Sequence, residues 1–194
     1  MLFSARVEYV CMIAIVGLVT TNVEGVPFYR QFSKRSDHHK QEIRSHMVAL
    51  INLLDNRTRY TGNLRGNQSL AVNLPTPYEP PIDNVAEEQE EEHRRHYEAL
   101  HEYTNILNNL PLSNSDRSIA DRLNFIKTEI HNLAVASPSW GTFTPPSTTV
   151  SSFVQNHPSH LAPAILEYVL QKLNSYINNG LSITVHKYTL PSTP

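Results

Sequence analysis

The side chains best equipped for chemistry are His93, His96 and His101, together with Glu92 and Glu98. His93 and His96 are three apart and share a face if the segment is helical, and Glu92 lies four before His96. Two or three such groups could converge on zinc, which accepts imidazole nitrogen and carboxylate oxygen. A catalytic centre also needs groups arriving from other elements. The sequence contains no GxSxG elbow, Walker loop, HExxH pair or dinucleotide fingerprint. The histidines stand among charged residues on the polar side of an amphipathic segment, so a solvated helix face is the expected setting. No catalytic residue, bound metal or cofactor is expected, and His38 and His39 read as an ordinary exposed pair.

The segment carrying these histidines belongs to the most organised part of the chain. Two helical patterns, about 86–110 and 115–136, are separated by only about five residues, and so short a link forces antiparallel neighbours. In the first, Tyr97, Leu100, Thr104 and Leu107 form one face, with Tyr103, Ile106 and Leu110 beside it, and Pro111 stops the run. Acidic residues from Glu87 to Glu92 favour its N-terminus through the helix dipole and read as solvated. In the second, Ile119, Leu123, Ile126, Ile130 and Leu133 recur at helical spacing after a cap at Ser113, Asn114 or Ser115.

Two further helices flank this pair. Ile43, Met47, Leu50 and Leu54 give a core-facing stripe over about 37–60, capped by Ser36 or Asp37. The last helix, about 159–187, carries a wide apolar face that includes Ile165, Leu166, Val169, Leu170 and Leu173. Gly180 is a stop signal there, but Leu181, Ile183 and Val185 continue the pattern beyond it. The outer connections are long, with about 25 residues before the central pair and about 22 after it. Connections of that length can climb the full height of a helix pair, and a long, short, long order is the signature of an all-α, up-up-down-down four-helix bundle with two crossover loops. Prolines from Pro75 to Pro81 stiffen the first loop into a strap.

Residues 1–25 read as a signal peptide: Arg6, a short apolar run from Val10 to Val19, and small residues Val23 and Gly25 before the cut. The run is too short for a stable membrane span. Residues 26–194 then form one secreted domain. Cys11, the single cysteine, falls inside the leader, so that domain has no disulfide to staple it and must rely on packing. Losing Arg6, Glu8 and Glu24 leaves the remainder close to neutral, and no basic stripe suggests nucleic acid. Asn56-Arg57-Thr58 and Asn67-Gln68-Ser69 are glycosylation sequons that should face solvent. Lys34-Arg35 is a dibasic pair open to processing or simply solvated.

Several stretches resemble the interleukin-6 type of long-chain helical cytokine, in the branch of ciliary neurotrophic factor, cardiotrophin and leukaemia inhibitory factor. Residues 42–50, EIRSHMVAL, resemble the start of the first helix of that family. Tyr60-Thr61-Gly62-Asn63 with Leu74-Pro75 and Pro80-Pro81 resembles its first crossover, residues 97–103, YEALHEY, its second helix, and residues 168–173, YVLQKL, its fourth. The resemblance implies a monomeric, non-enzymatic glycoprotein with growth factor activity that dimerises cell-surface receptors. Exposed faces of the first and third helices would engage a shared signal-transducing receptor. The start of the fourth helix and the end of the first crossover would engage a second one, and kinases associated with the receptors would fire inside the cell, as in JAK-STAT signalling. Several relatives carry a Phe-x-x-Lys pair at the start of that helix. Here Phe153-Val154-Gln155-Asn156 lacks the lysine, which leaves the second receptor open. Phe153 and Trp140 are the candidate receptor anchors, since large aromatics dominate interface hot spots. The competing readings are a helical carrier of an apolar ligand and, more distantly, a metal-dependent helical enzyme.

Overall fold

Between Pro27 and Tyr60 the chain has neither a glycine nor a second proline, and the whole stretch is one helix, α1 (Pro27–Tyr60). Pro27 suits a first helical position because the amide it lacks would have no partner there. This corrects the expected start at Ser36 or Asp37. A serine or aspartate caps a helix only where the preceding backbone leaves helical geometry, and nothing upstream of residue 36 forces it to. Lys34 and Arg35 are therefore exposed side chains on a formed helix.

The computed structural model describes residues 27–60, 74–76, 86–137, 139–146, 154 and 156–189. Among these the regular structure is helical, with no strand. The proposed leader 1–25, Asn67 and Phe153 lie outside the described residues. Helix α2 (Ala86–Asn108) closes with Asn109 N–H and Leu110 N–H donating to Ile106 O and Leu107 O, each at 3.1 Å, a tightened last turn just ahead of Pro111. Helix α3 (Asn114–Val135) opens at Ser113, whose extended backbone lets its Oγ accept from Asp116 N–H at 3.2 Å.

The last rod begins with a short 3-10 turn, Ser159–Leu161, which leads into α4 (Ala162–Tyr176). A π turn, Ile177–Leu181, follows, and then α5 (Ser182–Thr189). Residues 176, 177 and 182 all keep right-handed helical torsions, so the chain passes Gly180 without leaving the helix. No helix among the described residues is long and apolar enough to cross a membrane.

Helix α3 packs against both α1 and α2, and α4 packs against the same two helices. One continuous apolar cluster lies between them. It takes in Ile43, Leu50 and Leu54 from α1, Leu100 and Leu107 from α2, Leu123, Ile126 and Ile130 from α3, and Val169, Leu170 and Leu173 from α4. Two connections also join this packing. Tyr103 Oη donates to Pro75 O at 3.1 Å, so Pro75 of the first long loop lies against α2. Phe143 and Val154 of the second loop are buried in the cluster.

At its far end the core is bounded by charge. Arg57 Nε donates to Asp116 Oδ1 at 2.9 Å, and Arg57 Nη1 lies 3.6 Å from Glu167, which ties the end of α1 to the starts of α3 and α4. Burial alone would raise the Asp116 carboxyl, but hydrogen bonds from Ser113 and Arg57, with the guanidinium charge, hold it below the usual aspartate value.

Leu123 is wholly buried where α3 faces the core, whereas Val135, at 62 % exposure, is not. Leu123→Ala should therefore cost about 2–5 kcal/mol, while Val135→Ala should stay within about 0.5 kcal/mol. Urea unfolding, with an unchanged slope for both variants, measures the difference.

Candidate functional site

In α2 the apolar stripe Leu100, Tyr103, Leu107 has a helical extension toward the N-terminus, and counting back four and then three places His96 and His93 on it. These positions are buried. Glu92, His93 and His96 are 1 %, 4 % and 0 % exposed, so the expected solvated face is wrong for all three. The reason is geometric: a helix is a rigid rod, and the rotation that buries Leu100 and Leu107 carries His96 and His93 inward with them. Glu90 and Glu91 of the same acidic run behave as expected, pairing with Arg94 and Arg95 along the helix surface.

A polar group can remain inside only if it is hydrogen-bonded. Neutral imidazole has one donor and one acceptor nitrogen, and His96 uses both. Its Nδ1 is 2.7 Å from Tyr176 Oη and its Nε2 is 2.8 Å from Thr184 Oγ1. His93 Nδ1–H donates to Gln89 O at 2.7 Å, and its ring lies 5.0 Å from the indole of Trp140. Lys187 Nζ donates to Glu92 Oε1 at 3.1 Å, while Glu92 Oε2 has no hydrogen-bond partner among the described residues.

The partners Tyr176, Thr184 and Lys187 all come from the last rod, and the π turn brings them into line. In an undistorted α-helix, residues eight apart are about 80° out of register. The π turn absorbs one residue, so Tyr176 and Thr184 behave as though seven apart, within about 20° of one face. Nothing in the spacing of Tyr176, Thr184 and Lys187 reveals this. The stripe through Leu100 and Leu107, extended past Tyr97, is the legible sign for the histidines.

Burial sets the charge state. His93 is pushed down from 6.5 to about 4, chiefly by burial, with the Lys40 charge adding to the shift and the Gln89 hydrogen bond opposing it. His96 is pushed down to about 3 by burial and by proximity to His93. Tyr176 and Tyr103 are both raised, again chiefly by burial.

His101 and Glu98 do not join this group. Glu98 is exposed, and His101 stacks on Tyr97 at 6.4 Å, on the side where Tyr97 also meets His131 at 5.7 Å. Burial and the Lys127 charge lower the His101 imidazole. Among the described residues, no three His, Cys, Asp or Glu side chains gather so as to hold a metal ion. Trp140 is half-buried against the core, its ring 6.2 Å from Phe143, and the loop is tied to α2 by Gly141 N–H donating to Glu90 Oε1 at 3.1 Å. Asn56 is exposed on α1. In comparisons with known proteins, no family model, curated protein or solved structure matches this chain.

The site gives the fold a definite pH dependence. Both imidazoles protonate near 6.5 when unfolded and only near 4 and 3 when folded. Between those values the unfolded chain binds more protons, so stability is fully present above about pH 6.5 and falls with acidification. From pH 7.5 to pH 5 the loss should be about 4 kcal/mol for the two together, at roughly 1.4 kcal/mol per group per pH unit. Urea titrations at the two pH values test this, and His96→Gln should remove about half of the loss.

Proposed function

We propose that this chain is a secreted helical cytokine that binds and dimerises cell-surface receptors of the interleukin-6 signalling type. The observation that carries the reading is the pattern of helix neighbours. Helix α1 packs on α3 and α4, and α2 packs on the same two, which is the arrangement required of an up-up-down-down bundle. Polar contacts support its directions. His39 meets Glu129, His46 meets Arg122 and Arg57 meets Asp116, so α1 and α3 run oppositely. Glu92 meets Lys187 and His96 meets Thr184 in the same sense for α2 and the last rod. The connections 61–85 and 136–158, of 25 and 23 residues on either side of the short one, are then the two crossovers.

Such a protein acts by surface rather than by chemistry. Receptor contact through the exposed faces of α1 and α3 draws attention to Phe125, which is 38 % exposed. It stacks on His46 at 3.8 Å, and Arg122 Nη1 donates to His46 Nδ1 at 2.9 Å. An aromatic beside an arginine, held in place by its neighbours, has the composition of an interface hot spot. Trp140 is a second candidate, with half of its indole covered by the core. The leader 1–25 supports secretion, and Asn56 is placed to accept a glycan.

Protein collected from the medium of expressing cells should cause phosphorylation of the shared signal-transducing receptor in cells that carry it. Phe125→Ala should weaken that response about 10-fold or more at unchanged stability, as expected for loss of a hot-spot aromatic. Absence of phosphorylation with every candidate co-receptor present would overturn the reading.

A further inference from the structure

The buried imidazole of His96 reaches the last rod on both sides of the π turn: Tyr176 Oη stands before the turn and Thr184 Oγ1 after it. One turn further out, Lys187 closes on Glu92. The arm beyond the turn, Ser182–Thr189, packs along α1 and is tied to α2 through polar pairs, with Val185 as its buried apolar side chain. It lies past a π turn, where the i to i−4 ladder is already interrupted. We propose that His96 is an acid-released latch: it pins Ser182–Thr189 to α2 across the π turn, and its protonation lifts that arm while the packing of α1, α2, α3 and α4 persists.

The surrounding charges favour release over a protonated closed state. From α1, Lys40 bears on His93. Within α2, His93 bears on His96, so two imidazolium charges would meet in the interior. From α4, Tyr176 faces His96 as a neutral phenol, with Tyr103 behind it. From α5, the Lys187 charge is taken up by Glu92. A closed arm therefore offers an imidazolium little compensation, whereas an open arm offers it water. The device does not depend on what the chain binds, and it distinguishes neutral from mildly acidic surroundings.

Hydrogen exchange of backbone amides tests this, with the intrinsic chemical rate removed at each pH. Each histidine that titrates near 6.5 when open and stays neutral when closed raises the opening constant about 30-fold between pH 7.5 and pH 5. Amides of Val185, His186 and Lys187 should therefore open about 30-fold more readily at pH 5 through His96, the histidine bonded to the arm, well ahead of those of Leu123 and Ile126 in α3. His96→Gln keeps a donor and an acceptor toward Tyr176 and Thr184, and should remove most of the acid effect. Thr184→Val keeps both histidines and the side-chain shape, and should increase opening of the arm at pH 7.5 without moving α3. The proposal is overturned if the arm opens no more readily in acid, if it opens only together with α3, if His96→Gln keeps the full acid response, or if Thr184→Val leaves the arm unchanged.

Discussion

The rotation of α2 about its own axis is the constraint on which the interior depends. Leu100, Tyr103 and Leu107 fix that rotation, because turning them outward would return three large apolar surfaces to water at about 1.5–3 kcal/mol each. Once it is fixed, His96 and His93 are carried into the core, and Glu92 follows at the edge of the same face. An uncompensated carboxylate and two imidazoles would cost more than the packing gains. The last rod must therefore supply hydroxyls and an ammonium at matching heights, and Tyr176, Thr184 and Lys187 do so.

The π turn reconciles two demands on that rod. Ile165, Val169 and Leu173 require one face toward the core over the first part of its length. Tyr176 and Thr184 must both face His96 beyond it, although residues eight apart on an ideal helix are about 80° out of register. One extra residue in the turn resets the phase. Gly180 lies inside this turn and is itself buried, so the glycine that reads as a stop signal sits where the helix is widened rather than where it ends.

What could be read from residues alone follows from this division. The α3 stripe, the stop before Pro111 and a cap among Ser113, Asn114 and Ser115 are legible because each rests on local geometry or a single periodicity, and the structure selects Ser113. The start of α1 is not, since a favourable capping residue is a permissive signal and continuation depends on the absence of any breaker upstream. The buried histidines read as surface residues because their type points outward while their position points inward: the period that places Leu100 and Leu107 also runs through His96. Tyr176 follows the apolar face of the last helix, but Thr184 and Lys187 lie beyond any such reading, as their register depends on the π turn, which no residue pattern announces.

The polar seam also determines which alignment of helices is adopted. Apolar faces as broad as that of α4 can pack in neighbouring registers one turn apart at similar energy, since leucine against leucine is tolerant of a shift. A hydrogen-bonded imidazole is not tolerant. Sliding the rod by one turn, about 5.4 Å, would leave His96, Tyr176 and Thr184 without partners inside the core, at about 1–3 kcal/mol for each orphaned group. Arg57 between Asp116 and Glu167 imposes the same condition at the other end. An apolar replacement of His96, Tyr176 and Thr184 together could match or exceed the stability of the native trio, as buried polar networks are poor sources of net stability. It would not tell one register from the next, and the height of α5 on α2 follows from that discrimination rather than from the strength of the core.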